Sequence, residues 1–379
     1  MLDSEQIEAL GSRIRRLAAA DNARLQRICE QARALRHQVR PIRPRNTTAV
    51  SLMATDAGEN FIQFDPYLIV PVRVVDSYGK PHFLDALSPY MSLAELNAAQ
   101  FEHETPLGVL MRDLGVPSLW DLSRLIPSPT TPLEAVPPRW VQVYRDLAEW
   151  AVLYKYLVYN QFATDTLLVR DGLLRSLIFN GDLFAQMWER IRQAVEQHYQ
   201  RERRRIFVVG IAKRSKVLDR YLLALHMEGV LVQQGACYAP IPRAMEEQVY
   251  RWTYYGRAEP EAGEASYKVV GALHFAKFGP KRYDPIYPVD VWVYHQQRNE
   301  VDEVFSYLLA DAQAGFPTPF YPLCLQKAHE QATLSGLEGD LLQELVLNAI
   351  RDATGSEEAS ALEAYRMLSG VRRRNSYGR

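Results

Sequence analysis

The 379-residue chain is expected to adopt an α/β fold. Two observations predict it. Short runs rich in β-branched and aromatic residues, at 61–75, 206–211 and 287–294, alternate with stretches of helical periodicity. Proline, glycine and aspartate fall between these runs, where turns are needed. The composition is that of a globular protein: 47% apolar, 23% charged and 11% aromatic. That much apolar material excludes disorder as a global description, and a net charge of −1 excludes a uniformly basic nucleic-acid binder while allowing a locally basic groove.

Residues 4–39 read as one long helix, with Ile7, Leu10, Ile14 and Leu17 at heptad spacing, Ile28 and Leu35 on the same seam, and Pro41 and Pro44 beyond its end. The other face is arginine-rich: residues 1–45 carry ten Arg against five acids. Such a stripe fits packing on the chain's own domain, a dimer contact or a DNA contact. Residues 48–54 are small and apolar and are expected to form a strand ending in a turn at Thr55-Asp56-Ala57-Gly58. Residues 61–75 should give one or two more strands, with Pro66 and Pro71 at breaks or on an edge, then a turn at 76–80 and a short strand at Phe83-Leu84.

Residues 92–126 read as helices broken near Pro106 and Pro117, with Ser118 a candidate cap. The proline-rich stretch 126–138 is the best internal boundary. A strong helix follows at 140–160, then a strand from Asp165 to Asp171 with Gly172 at its turn, a helix at 182–201 and a strand at 206–211. A helix at 216–228, β-rich blocks at 267–276 and 287–294, helices at 325–335 and 338–353, and a basic tail from Val371 complete the reading. The organisation expected is an N-terminal helical segment (1–45), one main domain (46–355) with a helical insertion at about 90–138, and a C-terminal helix and tail (356–379). Cys29, Cys237 and Cys324 are too scattered for a zinc ribbon or a disulfide framework. The N-terminus shows no apolar signal core, and no apolar run approaches the roughly 20 residues of a membrane helix, so a soluble cytoplasmic protein is expected.

Two carboxylates stand out. Asp56 and Asp171 each follow an apolar strand and precede a glycine. Strand ends line the crevice where α/β proteins bind ligands. Two carboxylates about 4 Å apart repel by roughly 4 kcal/mol at an effective dielectric near 20, a cost that a divalent cation removes. Each aspartate alone would more often simply open a turn. Glu149, on the helix ahead of the second strand, His329, on a late helix, and Lys213, just past the 206–211 strand, complete the candidate set. Residues 201–220 carry eight Lys or Arg, among them Arg203, Arg204, Arg205, Arg214 and Lys216, against two acids, a density suited to a phosphodiester backbone. A Gly-x-x-x-x-Gly-Lys phosphate loop and a Gly-x-Ser-x-Gly elbow are both absent.

In this order the pieces resemble the NurA nuclease family, whose members work with the HerA hexameric ATPase. The resemblance spans residues 47–335. It rests on the Asp56 strand, Glu149 ahead of the strand ending Asp171-Gly172, the Val209-Gly-Ile-Ala-Lys213-Arg-Ser element, and the Tyr321-Pro-Leu segment leading to Ala328-His329. One departure is Asp56-Ala57-Gly58 where the family usually has Asp-Gly-Ser. The resemblance implies an RNase H-like core with a mixed central sheet flanked by helices, a homodimer with a central channel, and Mn²⁺- or Mg²⁺-dependent DNA cleavage. It further implies 5′-to-3′ exonuclease and single-strand endonuclease activity in DNA-end resection or anti-phage defence. By the same resemblance Asp56, Glu149, Asp171 and His329 would be metal ligands and Lys213 a phosphate contact. The rival readings are a non-catalytic DNA-binding adaptor of the ATPase and a metal-dependent phosphatase.

Overall fold

The structure, a computed structural model, describes residues 3–45, 50–59, 62–64, 67–132, 136, 139–253, 268–333 and 336–354; for 50–59 and 62–64 it describes the backbone. The basic tail from Val371 lies outside the described residues.

Helix α1 (Ser4–Ala34) opens with a capping box: Asp3 accepts the Gln6 N–H, and the Gln6 side chain accepts the Asp3 N–H. Only its C-terminal half is packed. Cys29 and Ala32, with Leu35 just beyond, are buried, whereas Ile7, Leu10, Ile14 and Leu17 are exposed. The chain continues through β1 (Arg40–Pro41), β2 (Val50–Glu59), β3 (Ile62–Phe64), β4 (Tyr67–Asp76) and β5 (Pro81–Leu87). Three short helices follow: α2 (Leu93–Glu102), α3 (Pro106–Leu114) and α4 (Leu119–Leu122). They are capped by Ser92, Thr105 and Ser118, each accepting a backbone N–H three residues on, and Pro106 stands in the first turn of α3. Then come α5 (Trp140–Tyr159), β6 (Asp165–Asp171), β7 (Arg175–Ser176), α6 (Leu183–Glu202) and β8 (Ile206–Ile211). The remainder is α7 (Lys216–Met227), β9 (Cys237–Pro240), α8 (Arg243–Thr253), β10 (Lys268–Val269), β11 (Gly271–Lys277) and β12 (Ile286–Trp292), then α9 (Val293–Gln297), α10 (Val301–Gln313), α11 (Leu323–Ala332) and α12 (Gly336–Thr354).

Among the described residues the main sheet has ten strands in the order β1-β9-β11-β12-β8-β6-β2-β4-β3, with β5 also on β4. Its heart is an antiparallel meander of β2, β4 and β5, to which β6 adds parallel to β2 and β8 parallel to β6. The order β5-β4-β2-β6-β8, with β4 alone opposed to the rest, is the RNase H-like arrangement. Strands β12, β11, β9 and β1 extend it by antiparallel pairing beyond β8.

Alternation along the strands sends side chains to two cores. Val70, Val72, Val74, Leu168 and Val208 pack with α3, α5 and α6. Leu167, Val169, Val209 and Ile211 pack with α10 and α11 on the other face. A third cluster joins the end of α1 to α7, β9 and β11.

Four sequence expectations change. The turn at residues 55–58 is strand: β2 runs on to Glu59, because β4 supplies partners from Thr55 opposite Asp76 to Glu59 opposite Val72. Pro71 lies within β4, opposite Ala86 of β5 and just past Val72, where the described β2 ladder ends. The 126–138 connector does not separate two cores, since Leu122, Ile126, Val136 and Trp140 share one. Strand β9 and helix α10 were not expected at all. The apolar spacing of Val304, Phe305, Leu308 and Ala312 was the available signal for α10.

Candidate active site

The C-terminal end of β6, with its neighbours on β2 and β8, brings Asp56, Asp171 and Lys213 to one region. In the β2–β6 register Thr55 stands beside Arg170, so Asp56 stands one position on, level with Asp171. Neighbouring strands lie about 4.8 Å apart, so the two aspartate backbones are adjacent. Asp171 in turn stands beside Ile211, the last residue of β8, two residues before Lys213.

Asp171 follows Leu167 and Val169 in the alternation that faces α11, and its side chain is half-buried. Helix α11 packs across β2, β4 and β6 and carries His329, which is exposed. The Lys213 ammonium lies 5.7 Å from the centre of the Tyr321 ring, just ahead of α11. Asp171, Lys213 and His329 therefore belong to one side of the sheet.

Glu149 belongs to the other side. It is buried on α5, with Oε1 3.2 Å from Arg170 Nε. The Arg170 guanidinium also lies 4.1 Å from the Trp150 ring centre and donates to the Leu173 carbonyl at 3.2 Å. Arg170 precedes Asp171, so the pleat turns it toward α5.

The basic residues are likewise divided. Arg203, Arg204 and Arg205 precede β8, whereas Arg214 and Lys216 follow it near Lys213. Arg205 is held by Asp165 at 3.0 Å and Glu303 at 2.9 Å.

Three features of the region went unread in the sequence. The turn after Asp171 is fastened by a buried charge network. The Gly172 N–H donates to the Ile211 carbonyl at 2.7 Å, and the Leu174 N–H donates to the Asp290 carboxylate at 2.9 Å. Arg175 donates to Asp290 at 2.9 and 2.5 Å and to Glu246 at 2.7 Å. Burial pushes the Glu246 carboxyl up, against the opposing pull of Arg175. The second feature is backbone proximity: a Cβ on Gly210 would lie 2.4 Å from the Gly172 carbonyl oxygen, so β8 must have glycine there. Gly172 itself has φ 110°. The third is Asp76, opposite Thr55. Burial raises its carboxyl, but the His82 ring at 2.9 Å and the N–H groups of Lys80 and Tyr78 outweigh it, so its pKa is lowered. Each partner is a lone polar residue whose counterpart is distant in the chain or hidden in a turn.

A hard divalent cation takes mainly carboxylate oxygens, with imidazole a softer donor that Mn²⁺ also accepts, and Asp56, Asp171 and His329 are donors of these types. Among the described residues no group of three His, Cys, Asp or Glu stands close enough to hold a metal; the Asp56 side chain lies outside them. The donor types and the strand register fit a divalent cation at this end of the sheet. No described helix is long and apolar enough to cross a membrane.

No family model and no curated protein matches the chain. Among solved structures it is similar to the NurA nuclease from Sulfolobus solfataricus, at 11% identity over 93% of this chain and 98% of that one, with a TM-score of 0.40. It is similar to NurA with manganese (12%, covering 90% and 98%, TM-score 0.41) and to NurA bound to dAMP and manganese (12%, covering 95% and 100%, TM-score 0.44).

Proposed function

We propose that the chain is a divalent-metal-dependent nuclease that hydrolyses DNA phosphodiesters at the C-terminal ends of β6 and β8, beside Asp56 of β2. One observation carries the reading: the register that sets Asp56 level with Asp171 on adjacent parallel strands. It is supported by the RNase H-like strand order and by the nearness of Lys213 to Tyr321, just ahead of the helix α11 that Asp171 faces.

Asp56, Asp171 and His329 would hold Mn²⁺ or Mg²⁺. The metal, when bound, supplies Lewis acidity and lowers the pKa of water. Lys213 would set its charge against the phosphate oxygens, where charge develops in the transition state. Arg214 and Lys216 would hold the adjoining backbone, and Arg203 and Arg204 more distant phosphates. Glu149 is best read as a positioning residue. It fixes Arg170, which grips the Leu173 carbonyl in the turn beyond Asp171. Its position in the acid set of the resemblance leaves direct ligation as the alternative role.

The finer reading follows the resemblance: exonucleolytic cleavage from 5′ to 3′, endonucleolytic cleavage of single strands, a homodimer, a HerA-type hexameric ATPase as motor, and a role in end resection or phage defence. The exposed Ile7, Leu10, Ile14 and Leu17 stripe offers a surface for such assembly. Incubating the purified chain with end-labelled single-stranded DNA and Mn²⁺, with and without EDTA, tests the activity. Mixing it with a HerA-type ATPase and measuring mass in solution tests the assembly.

A further inference from the structure

At the opposite end of the sheet, where β6 and β8 begin, five planar groups form a continuous ladder. The Arg203 guanidinium lies 5.7 Å from the centre of the Tyr199 ring. Arg298 lies 5.5 Å from the same ring and 5.3 Å from Tyr294. Tyr294 stacks on Trp292 at 4.8 Å with planes 26° apart. Tyr199 remains 38% exposed, and Arg203 and Arg298 are exposed as well.

The ladder is held from behind. The Val208 N–H donates to His295 Nε2 at 3.0 Å, which leaves the proton on Nδ1 to be donated to Glu300 at 2.8 Å. Arg298 donates to Glu300 at 3.3 Å. Arg203 closes α6 in the left-handed conformation, φ 54°, which turns the chain from the helix into β8. Arg201 and Arg204 stand beside it in the chain, with Glu202, Glu300 and, near Tyr294, Glu196 as the neighbouring acids. Arg205 is held by two ion pairs and is not counted in the ladder.

Alternating aromatic and guanidinium planes suit unpaired bases, whose faces stack on both, and leave guanidinium N–H groups for phosphates. A duplex hides its base faces and gains only the charge. A solvated basic surface needs no aromatic spacing, so the ladder argues for more than charge. We infer that Tyr199, Arg203, Arg298 and Tyr294 form a stacking site for single-stranded nucleic acid, separate from the acid site. Strand β6 separates the two by seven residues, about 20 Å, so a strand engaged at both must cross the protein. The inference extends the nuclease reading, but the binding measurement below does not depend on cleavage.

The experiment is fluorescence anisotropy of a labelled oligodeoxythymidylate in EDTA, with an equal-length duplex as comparison. Tyr199→Leu and Arg298→Ala are expected to weaken single-strand binding roughly 5- to 100-fold, and Tyr199→Phe to retain it. Arg203→Ala, at an exposed position, repeats the test where loss of folding is least expected. Thermal melts verify folding for each variant. Equal binding of strand and duplex, with Tyr199→Leu unchanged, would reduce the ladder to surface charge and overturn the site. So would displacement by polyglutamate at the concentrations at which the oligonucleotide itself competes, which would point to an acidic protein segment. A wild type that binds in this way but never cleaves would overturn the nuclease reading and leave the stacking site standing.

Discussion

Glu149 and Arg170 meet at 3.2 Å beneath the end of β6, their side chains 7% and 10% exposed. The pair lies across the sheet from Asp171, although Arg170 is its immediate neighbour. Removing one partner of such a pair strands the other charge in a poorly solvated site. Glu149→Ala is therefore expected to cost about 3–5 kcal/mol of stability. Asp171→Asn, at a half-buried strand end, should cost under about 1 kcal/mol while abolishing cleavage. Urea unfolding and Mn²⁺ titration of both variants check this. A stable Glu149→Ala that fails to bind Mn²⁺ would make Glu149 a ligand.

The network behind the active turn gives a second prediction. Asp290 is fully buried and accepts from Leu174 and Arg175. Asp290→Ala should lose about 3–5 kcal/mol by leaving Arg175 short of a partner. The turn carrying Asp171 should loosen with it, seen as faster amide exchange at Gly172 and Leu174 than in an equally destabilised core variant.

Gly210→Ala is a third. Its Cβ would meet backbone, not a movable side chain. The cost should be about 1–3 kcal/mol, with β6 and β8 forced apart at the Asp171–Ile211 position. Thermal melts and activity together report it, and Gly235→Ala, with open space around a Cβ but positive φ, gives a strain-only comparison.

Two histidines set a pH dependence. Burial pushes His274 down to about 4 and also lowers His295, against the upward pull of the Ala272 carbonyl and of Glu300, respectively. Both rings are neutral in the folded chain and take up protons more readily once unfolded. Their contribution is complete above the ordinary histidine pKa of about 6.5 and is lost as pH falls toward 4. For His274 the loss reaches about 3 kcal/mol at most. Urea midpoints measured from pH 7.5 to 4.5 should fall, with a shallower slope in His274→Gln.

Much of the fold was legible because it rests on local patterns. The α5 and β6 boundaries, the Ser118 cap and the turn at 76–80 follow from periodicity and turn chemistry. The continuation of β2 through Asp56-Ala57-Gly58 was not legible, because it is imposed by pairing with β4. At the site, the end of β6 announced Asp171, whereas Asp56 lies within β2, three residues before its end. Which face each side chain takes depends on the pleat and on register, so the contact of Glu149 with Arg170 was not legible in the sequence. The Asp290–Arg175–Glu246 network joins residues from three distant segments, and each alone resembles an ordinary surface charge. The same holds for the basic run 201–216, which β8 splits between two ends of the sheet.

The central claim is that Asp56 and Asp171 act together on a phosphodiester. The most direct measurement is hydrolysis of end-labelled single-stranded DNA by wild type, Asp56→Asn and Asp171→Asn, each in Mn²⁺ and in EDTA, with Mn²⁺ affinity measured on the same samples. The account predicts cleavage by wild type in Mn²⁺ alone, and at least about 100-fold slower turnover with weakened Mn²⁺ binding in both variants, whose single-strand binding and melting temperatures are retained. Undiminished cleavage by either variant, or cleavage by wild type in excess EDTA, would contradict it.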